Sequence, residues 1–261
     1  MPAFTSEPLL GRVAVVTGGA RGLGHAMAQA LAEAGADVAL LDRLDTVAEA
    51  AEALQAASGR RCIGLPVDVT DDQSVAEAFE DVSRRLGEAD VLVNSAGITL
   101  GAPLLETTAE AWRRVLDVNV TGTFVTSRVF ARRHIDAATG APASIVNVSS
   151  MSAFVVNVPQ TQAAYNTSKA AVSMFTKSAG IEWQPYGIRV NAIAPGYFAS
   201  DMTRDFVAEN PEMAQEWVRR IPAGRMGEPE ELGELLVYLA SERSRYVVGQ
   251  SILIDGGYTS V

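Results

Sequence analysis

Tyr165 and Lys169 stand four residues apart in AAYNTSKAA, a run that reads as helix. That spacing stacks two side chains on one helix face. An ammonium held beside a phenol favours the phenolate, so Tyr165 is a candidate general acid/base with Lys169 to tune it. Lysine is scarce in this chain: Lys169 and Lys177 are the only two among 21 basic residues. A compact three-donor ammonium does not exchange freely with a forked guanidinium. The same spacing also fits an ordinary helix with a part-buried tyrosine and a solvated lysine, so its meaning depends on the rest of the chain.

A second chemical stretch is TGGARGLG, Thr17 to Gly24, which follows the apolar run RVAVV and opens a helical pattern. In a dinucleotide-phosphate loop, glycines such as Gly18, Gly22 and Gly24 allow a tight turn, close backbone approach to a pyrophosphate, and packing of helix on strand. Arg21 and Leu23 belong to the same loop, at a helix N-terminus whose partial positive charge favours the anion. Asp42 closes the next apolar run, eighteen residues after Gly24, where a carboxylate accepts bonds from the adenosine ribose hydroxyls. Its charge repels a 2′-phosphate and favours NAD over NADP. Arg43 beside it pulls the other way, since a guanidinium pairs with phosphate.

The elements that must hold these groups alternate along the whole chain. Apolar runs at RVAVV, ADVALLD, RCIGLPV, DVLVN, ASIVNV, GIRVNAIAP and QSILI are separated by helical stretches, including a long one near Thr108 to Ala138, one over Thr161 to Gln184, and PEELGELLVYLAS. Strands that are apolar throughout and separated by helices make a parallel sheet covered on both faces. Right-handed crossovers then lead to an α/β, Rossmann-like doubly wound sheet of seven strands in a single domain, 1–261. The irregular stretch 197–227 is long for an α/β connection and reads as a substrate lid.

Bulk properties limit the alternatives. The chain has 261 residues, 48% hydrophobic and 20% charged, enough for a large core. It lacks both a run of about eighteen apolar residues and a basic, apolar leader, so a cytoplasmic protein is expected. A single cysteine, Cys62 in an apolar context, excludes an internal disulfide and reads as a packed side chain. A net charge of −10 counts against nucleic-acid or anionic-membrane partners. His25 and His134, the only histidines, read as solvated surface, and no metal site is expected.

With these residues in place, the sequence resembles the short-chain dehydrogenase/reductase family from about Leu10 to Tyr258. Its TGxxxGxG loop is TGGARGLG here, and its NNAG motif appears as Asn94, Ser95, Ala96 and Gly97, with serine at the second position. The resemblance implies that the Asn94 backbone faces the adenosine ribose and that Asp68 with Val69 meets the adenine. It also implies that Asn119 holds a water in a proton relay, and that Pro195 and Gly196 turn beside the nicotinamide with Phe198 and Ser200 at its carboxamide. Tyr165 and Lys169 then serve both catalysis and cofactor binding, Lys169 by holding the nicotinamide ribose.

The active-site serine is ambiguous. The family's commonest spacing, thirteen residues before the tyrosine, points to Ser152, whereas the strand-end pattern NxSS points to Ser150. A strand end is the fixed point and a loop absorbs two residues, so Ser150 is assigned to catalysis and Ser152 to the substrate. Some polyol dehydrogenases of the family are similar here. The loop MSAFVVNVPQTQAA offers Ser152, Asn157 and Gln160 to a pocket, which suits a polyol better than a steroid or acyl chain. Alternatively, Asn157 and Gln160 bond the loop's own backbone around Pro159. The expected substrate contacts are Ser150, Ser152, Asn157 and Tyr165, and the reaction is oxidation of a secondary alcohol to a ketone with NAD. Other readings are an acyl-thioester or hydroxysteroid enzyme of the same family and a non-catalytic dinucleotide-binding protein. A homotetramer is expected, because the two long helices carry more apolar residues than one sheet face covers.

Overall fold

Strand β1 (Val13–Thr17) is buried at all five positions, as a mostly β-branched run covered on both faces must be. The computed structural model describes residues 7–138, 140–200, 207 and 210–261. After β1 come α1 (Gly22–Glu33), β2 (Asp37–Asp42), α2 (Val47–Ser58), β3 (Cys62–Pro66), α3 (Asp72–Arg85), β4 (Val91–Asn94), α4 (Ala109–Leu116), α5 (Gly122–Ala137) and β5 (Ala143–Val148). The chain continues through α6 (Ala163–Trp183), β6 (Ile188–Pro195), α7 (Pro211–Arg220), α8 (Glu231–Ala240) and β7 (Ser251–Ile254).

The seven strands form one parallel sheet in the order β3-β2-β1-β4-β5-β6-β7, the doubly wound arrangement expected. Its order reverses between β1 and β4, and the crevice beyond their carboxyl ends is where such sheets take ligands. Alternate strand residues feed two cores. Ala14, Val16, Val38 and Leu40 face α1, α2 and α8, while Val15, Ala39, Leu41 and Leu92 face α3, α5 and α6.

The long helix expected near Thr108 to Ala138 is interrupted. Thr108 Oγ1 caps α4 by accepting the Ala111 N–H, and a π turn at Asp117–Thr121 joins α4 to α5, with the Gly122 N–H donating to the Asp117 carbonyl five residues back. Gly122 allows the close approach there, since a Cβ would lie 2.6 Å from Val69 Cγ2. The extra residue in the turn buries Asn119.

Both histidines are half-buried instead of solvated. His25 Nδ1 lies 3.1 Å from the Gly19 carbonyl, and the His134 ring stacks on Phe130. Cys62 is buried, as expected. Among the described residues no helix is long and apolar enough to cross a membrane. Of the expected lid, residues 201–206, 208 and 209 lie outside the described set; α7 occupies much of the remainder.

Candidate active site

The end of β5 splits two adjacent serines between core and crevice. Ser149 Oγ donates to the Lys169 carbonyl at 3.0 Å and shares a 2.8 Å bond with Ser173 Oγ, which commits it to α6. Ser150, in extended backbone, points the other way. Its Oγ accepts the Ser152 N–H at 3.1 Å, capping a short 3-10 turn, and it bonds the Tyr165 side chain. Ser152 Oγ instead donates to Asn157 Oδ1 at 2.6 Å. Of the two candidate serines, Ser150 is the one joined to Tyr165.

Lys169 is only 5% exposed, and its Nζ donates to the Val148 carbonyl at 2.8 Å. Burial pushes its pKa down to about 8. The ammonium lies over the Tyr165 ring, 5.5 Å from the centroid. A phenol softened by its neighbouring ammonium was the expectation from sequence. Burial instead pushes the Tyr165 pKa up, with the Ser150 bond opposing it. Desolvation of the phenolate outweighs local help as long as water is excluded.

Asn119 acts as a clamp. Its Oδ1 accepts the Ile98 N–H at 2.8 Å, and its Nδ2 donates to the Ile98 carbonyl and to Ser168 Oγ, each at 2.9 Å. It thereby fixes the chain leaving β4 against α6. Gly97 fits beside it, where a Cβ would meet Asn119 Oδ1 at 3.3 Å and Lys169 Nζ at 3.6 Å.

The glycine loop is built for close backbone packing. The Gly18 N–H donates to the Leu41 carbonyl at 2.8 Å, a Cβ on Gly18 would sit 2.9 Å from Ala96 Cα, and one on Gly24 would sit 2.1 Å from the Gly18 carbonyl. Gly22, at φ +61, faces open space beside the exposed Arg21 and the half-buried Leu23. Thr17 Oγ1 accepts the N–H groups of Ser95 and Ala96, tying the loop to the end of β4.

Asp42 stands at the end of β2 with two backbone bonds, its carboxylate accepting from the N–H of Ala20 and of Leu44 at 3.1 Å each. Bonds from the Thr70 backbone and hydroxyl hold the Asp68 carboxyl below its usual range, and the Arg43 guanidinium adds to this. Val69 is buried against Gly122. At the far side, Gly196 N–H donates to the Ile254 carbonyl; Phe198 buries its ring against Gly227, and Ser200 N–H donates to the Phe198 carbonyl.

Two polar clusters have connections that the sequence does not show, although Ser152, Asn157 and Gln160 of the second are among its candidates. Asn94 Nδ2 donates to Ser127 Oγ and Asn147 Oδ1, its Oδ1 accepts from Thr126, and Asn147 donates onward to Thr176. This buried network joins β4 and β5 to α5 and α6; an Asn in the middle of the apolar run ASIVNV was the signal for it. The other cluster surrounds Asn157, which is 2% exposed and turned inward. It bonds the side chains of Ser152 and Tyr197, not the loop's own backbone, and Gln160 accepts from Tyr197. Gln162 Nε2 donates to Asn166 Oδ1 at 3.0 Å and lies 3.3 Å from both Ser152 Oγ and Asn157 Oδ1.

The glycine cradle, the carboxylate at the end of β2, and a buried ammonium spending one donor on Val148 fit a nicotinamide dinucleotide. Glycine loop, β4 end, serine pair and Pro195–Gly196 turn all stand at the carboxyl edge of the sheet. A family model described as enoyl-(acyl carrier protein) reductase matches residues 18–259. Galactitol 2-dehydrogenase (L-tagatose-forming) of Cereibacter sphaeroides is 40% identical over 250 residues, 95% of each chain. A 3-oxoacyl-[acyl-carrier-protein] reductase of Aquifex aeolicus is 37% identical, covering 95% of this chain and 98% of its own. A gluconate 5-dehydrogenase from Burkholderia cenocepacia, solved with NADP and tartrate, superposes with a TM-score of 0.91 at 35% identity over 98% of both chains. On matches of this extent, the chain belongs to the short-chain dehydrogenase/reductase family, oxidoreductases that use NAD(P) and act on alcohol-type substrates.

Proposed function

We propose that this chain oxidises a secondary hydroxyl of a four- to six-carbon sugar alcohol, or a similar vicinal diol, to the ketose or hydroxyketone, with NAD as acceptor. The observation that carries the chemistry is the Ser150 bond to Tyr165 above a buried Lys169. Tyr165 removes the alcohol proton, and Ser150 donates to the same oxygen as it becomes a carbonyl. The bound nicotinamide supplies the hydride acceptor. Lys169 keeps donors beyond the Val148 bond for the nicotinamide ribose, and its charge beside the Tyr165 ring opposes the desolvation cost of the phenolate. Asn119, joined to Ser168 at the start of the same helix, lies on the path proposed for the proton to solvent.

For the cofactor, Gly18, Arg21, Gly22, Leu23 and Gly24 are assigned to the pyrophosphate, Asp42 to the adenosine ribose, and Asp68 with Val69 to the adenine. Asn94, Ala96 and Gly97 are assigned to the cofactor's middle, and Pro195, Gly196, Phe198 and Ser200 to the nicotinamide end. Further substrate hydroxyls are assigned to the Ser152 oxygen and the second Asn157 amide N–H. The polyol reading is supported by the polar wall of Ser152, Asn157 and Gln162 and by the likeness to a galactitol dehydrogenase. The wall's side chains bond one another, and the Ser152 oxygen and the second Asn157 N–H keep the capacity that a substrate hydroxyl would use.

A second reading, reduction of a carrier-bound 3-oxoacyl chain, draws on the family-model description and the Aquifex relative. Nicotinamide absorbance, followed over polyols, hydroxysteroids and 3-hydroxyacyl thioesters with NAD and NADP, separates the two. Polyols with NAD are expected to react best, and deoxy analogues worse than their parents. Turnover of thioesters or steroids with none of polyols discards the polyol reading and leaves the family intact.

A further inference from the structure

Tyr197 is not among the residues the sequence singles out, yet four segments meet on it. It follows the Pro195–Gly196 turn directly. Its ring stacks on Trp217 of α7, with centroids 4.4 Å apart and planes 10° from parallel, and meets Tyr258 of the C-terminal segment edge-on at 5.6 Å. Its hydroxyl sits in the loop between Ser150 and Tyr165, accepting from Asn157 Nδ2 at 3.2 Å and donating to Gln160 Oε1 at 2.5 Å. Asn157 Oδ1 accepts from Ser152 Oγ, and the Ser152 N–H donates to Ser150 Oγ. An unbroken chain of bonds therefore runs from the aromatic stack on α7 to the hydroxyl that touches Tyr165.

These groups are buried, so each lost partner leaves a desolvated polar atom, and one displacement is felt along the chain. Burial also pushes the Tyr197 pKa well up, so its phenol stays protonated and donating. The stack alone explains a ring at position 197. It does not explain a hydroxyl that joins two amides of the substrate loop.

We infer that Tyr197 is a positioning residue that couples α7 to the loop carrying Ser150 and Ser152, so that the grip on the substrate depends on α7 being docked. The inference rests on the proposed reading of residues 150–165 as the substrate wall.

Tyr197→Phe tests it, because the ring and its stack remain and only the hydroxyl goes. Amide hydrogen exchange in 152–162 is expected to speed about tenfold, the scale of one lost buried hydrogen bond, with β1 to β4 unchanged. For the best substrate of the wild type, KM is expected to rise about tenfold, with kcat within about threefold and cofactor affinity unaltered. Gln160→Ala, a loop change that spares the core, is expected to move exchange and KM the same way by less. A ring acting only as filler predicts wild-type loop exchange and KM in Tyr197→Phe, and that result overturns the inference. Faster loop exchange without turnover of any polyol upholds the coupling and removes the polyol reading; polyol turnover with an unmoved loop does the reverse.

Discussion

The Lys169 ammonium lies over the face of the Tyr165 ring and spends its bond on the Val148 carbonyl, while Ser150 is the side chain that reaches the phenol oxygen. Four-residue spacing on α6 produces the first contact, and the direction in which β5 ends produces the second. The phenol and the ammonium are thus both held by α6, while the hydroxyl that meets the phenol is held by the end of β5. A shift of β5 against α6 separates Ser150 from Tyr165 and leaves Tyr165 and Lys169 together.

Tyr165→Phe removes the oxygen and leaves the ring over which the Lys169 ammonium lies. Turnover is expected to fall about 10²-fold or more with cofactor binding preserved, the usual loss of a general acid/base. Steady-state rates with cofactor titrated by fluorescence measure both. Wild-type turnover in the Phe variant would remove Tyr165 from the proposed role.

Ser150→Ala and Ser152→Ala separate the serines. Ser150 bonds the phenol directly, whereas Ser152 bonds Asn157 and reaches Ser150 only through its backbone N–H, which alanine keeps. The Ser150 variant is expected to lose kcat and the Ser152 variant mainly to raise KM. The opposite order would reassign the catalytic hydroxyl to Ser152.

Stability should reveal the buried lysine. A folded-state pKa of about 8 against an ordinary 10.5 means that, in that window, the unfolded chain binds a proton the folded one does not. The lowered value makes the burial cost complete below pH 8 and relieves it as pH rises. Relative to Lys169→Met, the cofactor-free wild type is expected to gain roughly 2 kcal/mol between pH 8 and 9.5. Urea unfolding of both proteins at the two pH values measures this, with Cys62 and the surface groups common to both. A difference independent of pH would mean that Lys169 keeps its ordinary proton affinity.

Much of this site was legible because its residues sit at strand ends, and apolar runs mark strand ends well. All seven strands lie where the apolar runs placed them, and the loop Gly18 to Gly24, Asp42 and the two serines follow from that. What stayed hidden is set by packing between distant segments. The π turn at Asn119 depends on Gly122 lying against Val69, a contact across 53 residues that periodicity does not register. Asn157 turns inward because Tyr197, 40 residues on, gives its amide a partner. The raised Tyr165 pKa depends on solvent exclusion, which no local spacing encodes.

The outer faces of α5 and α6 carry Phe124, Met174 (60% exposed) and Ile181 (73% exposed), with Phe124 edge-on to Phe175 and Phe175 edge-on to Trp183. Exposed apolar residues on neighbouring helices are where the homotetramer expected from the sequence would seat a second copy. Light scattering at micromolar concentration is expected to give four chains. Met174→Glu with Ile181→Glu should reduce that number and leave cofactor binding in place. A wild-type monomer would refute the assembly.

The last prediction concerns cofactor choice, where Asp42 has two tasks. Its carboxylate binds the Ala20 and Leu44 backbones, so it shapes the glycine loop besides carrying the proposed ribose contact. Arg43, the residue that could favour a 2′-phosphate, acts on Asp68 and helps hold that carboxyl ionised. Asp42, with its charge at the end of β2, opposes a 2′-phosphate there, and Arg43 would favour one, so the two residues pull in opposite directions. Wild type is expected to use NAD more efficiently than NADP. Asp42→Ala should narrow the ratio from both sides, raising KM for NAD by loss of a ribose acceptor and lowering KM for NADP by loss of a repulsive charge. Loosening of the loop should at the same time blunt the gain with NADP. Adding Arg43→Ala should then cost NADP more than NAD. Initial rates with both cofactors over the wild type, Asp42→Ala and the double variant decide the matter; equal efficiency with the two cofactors in the wild type would refute the NAD preference, as the NADP-bound gluconate dehydrogenase of the family makes a real alternative.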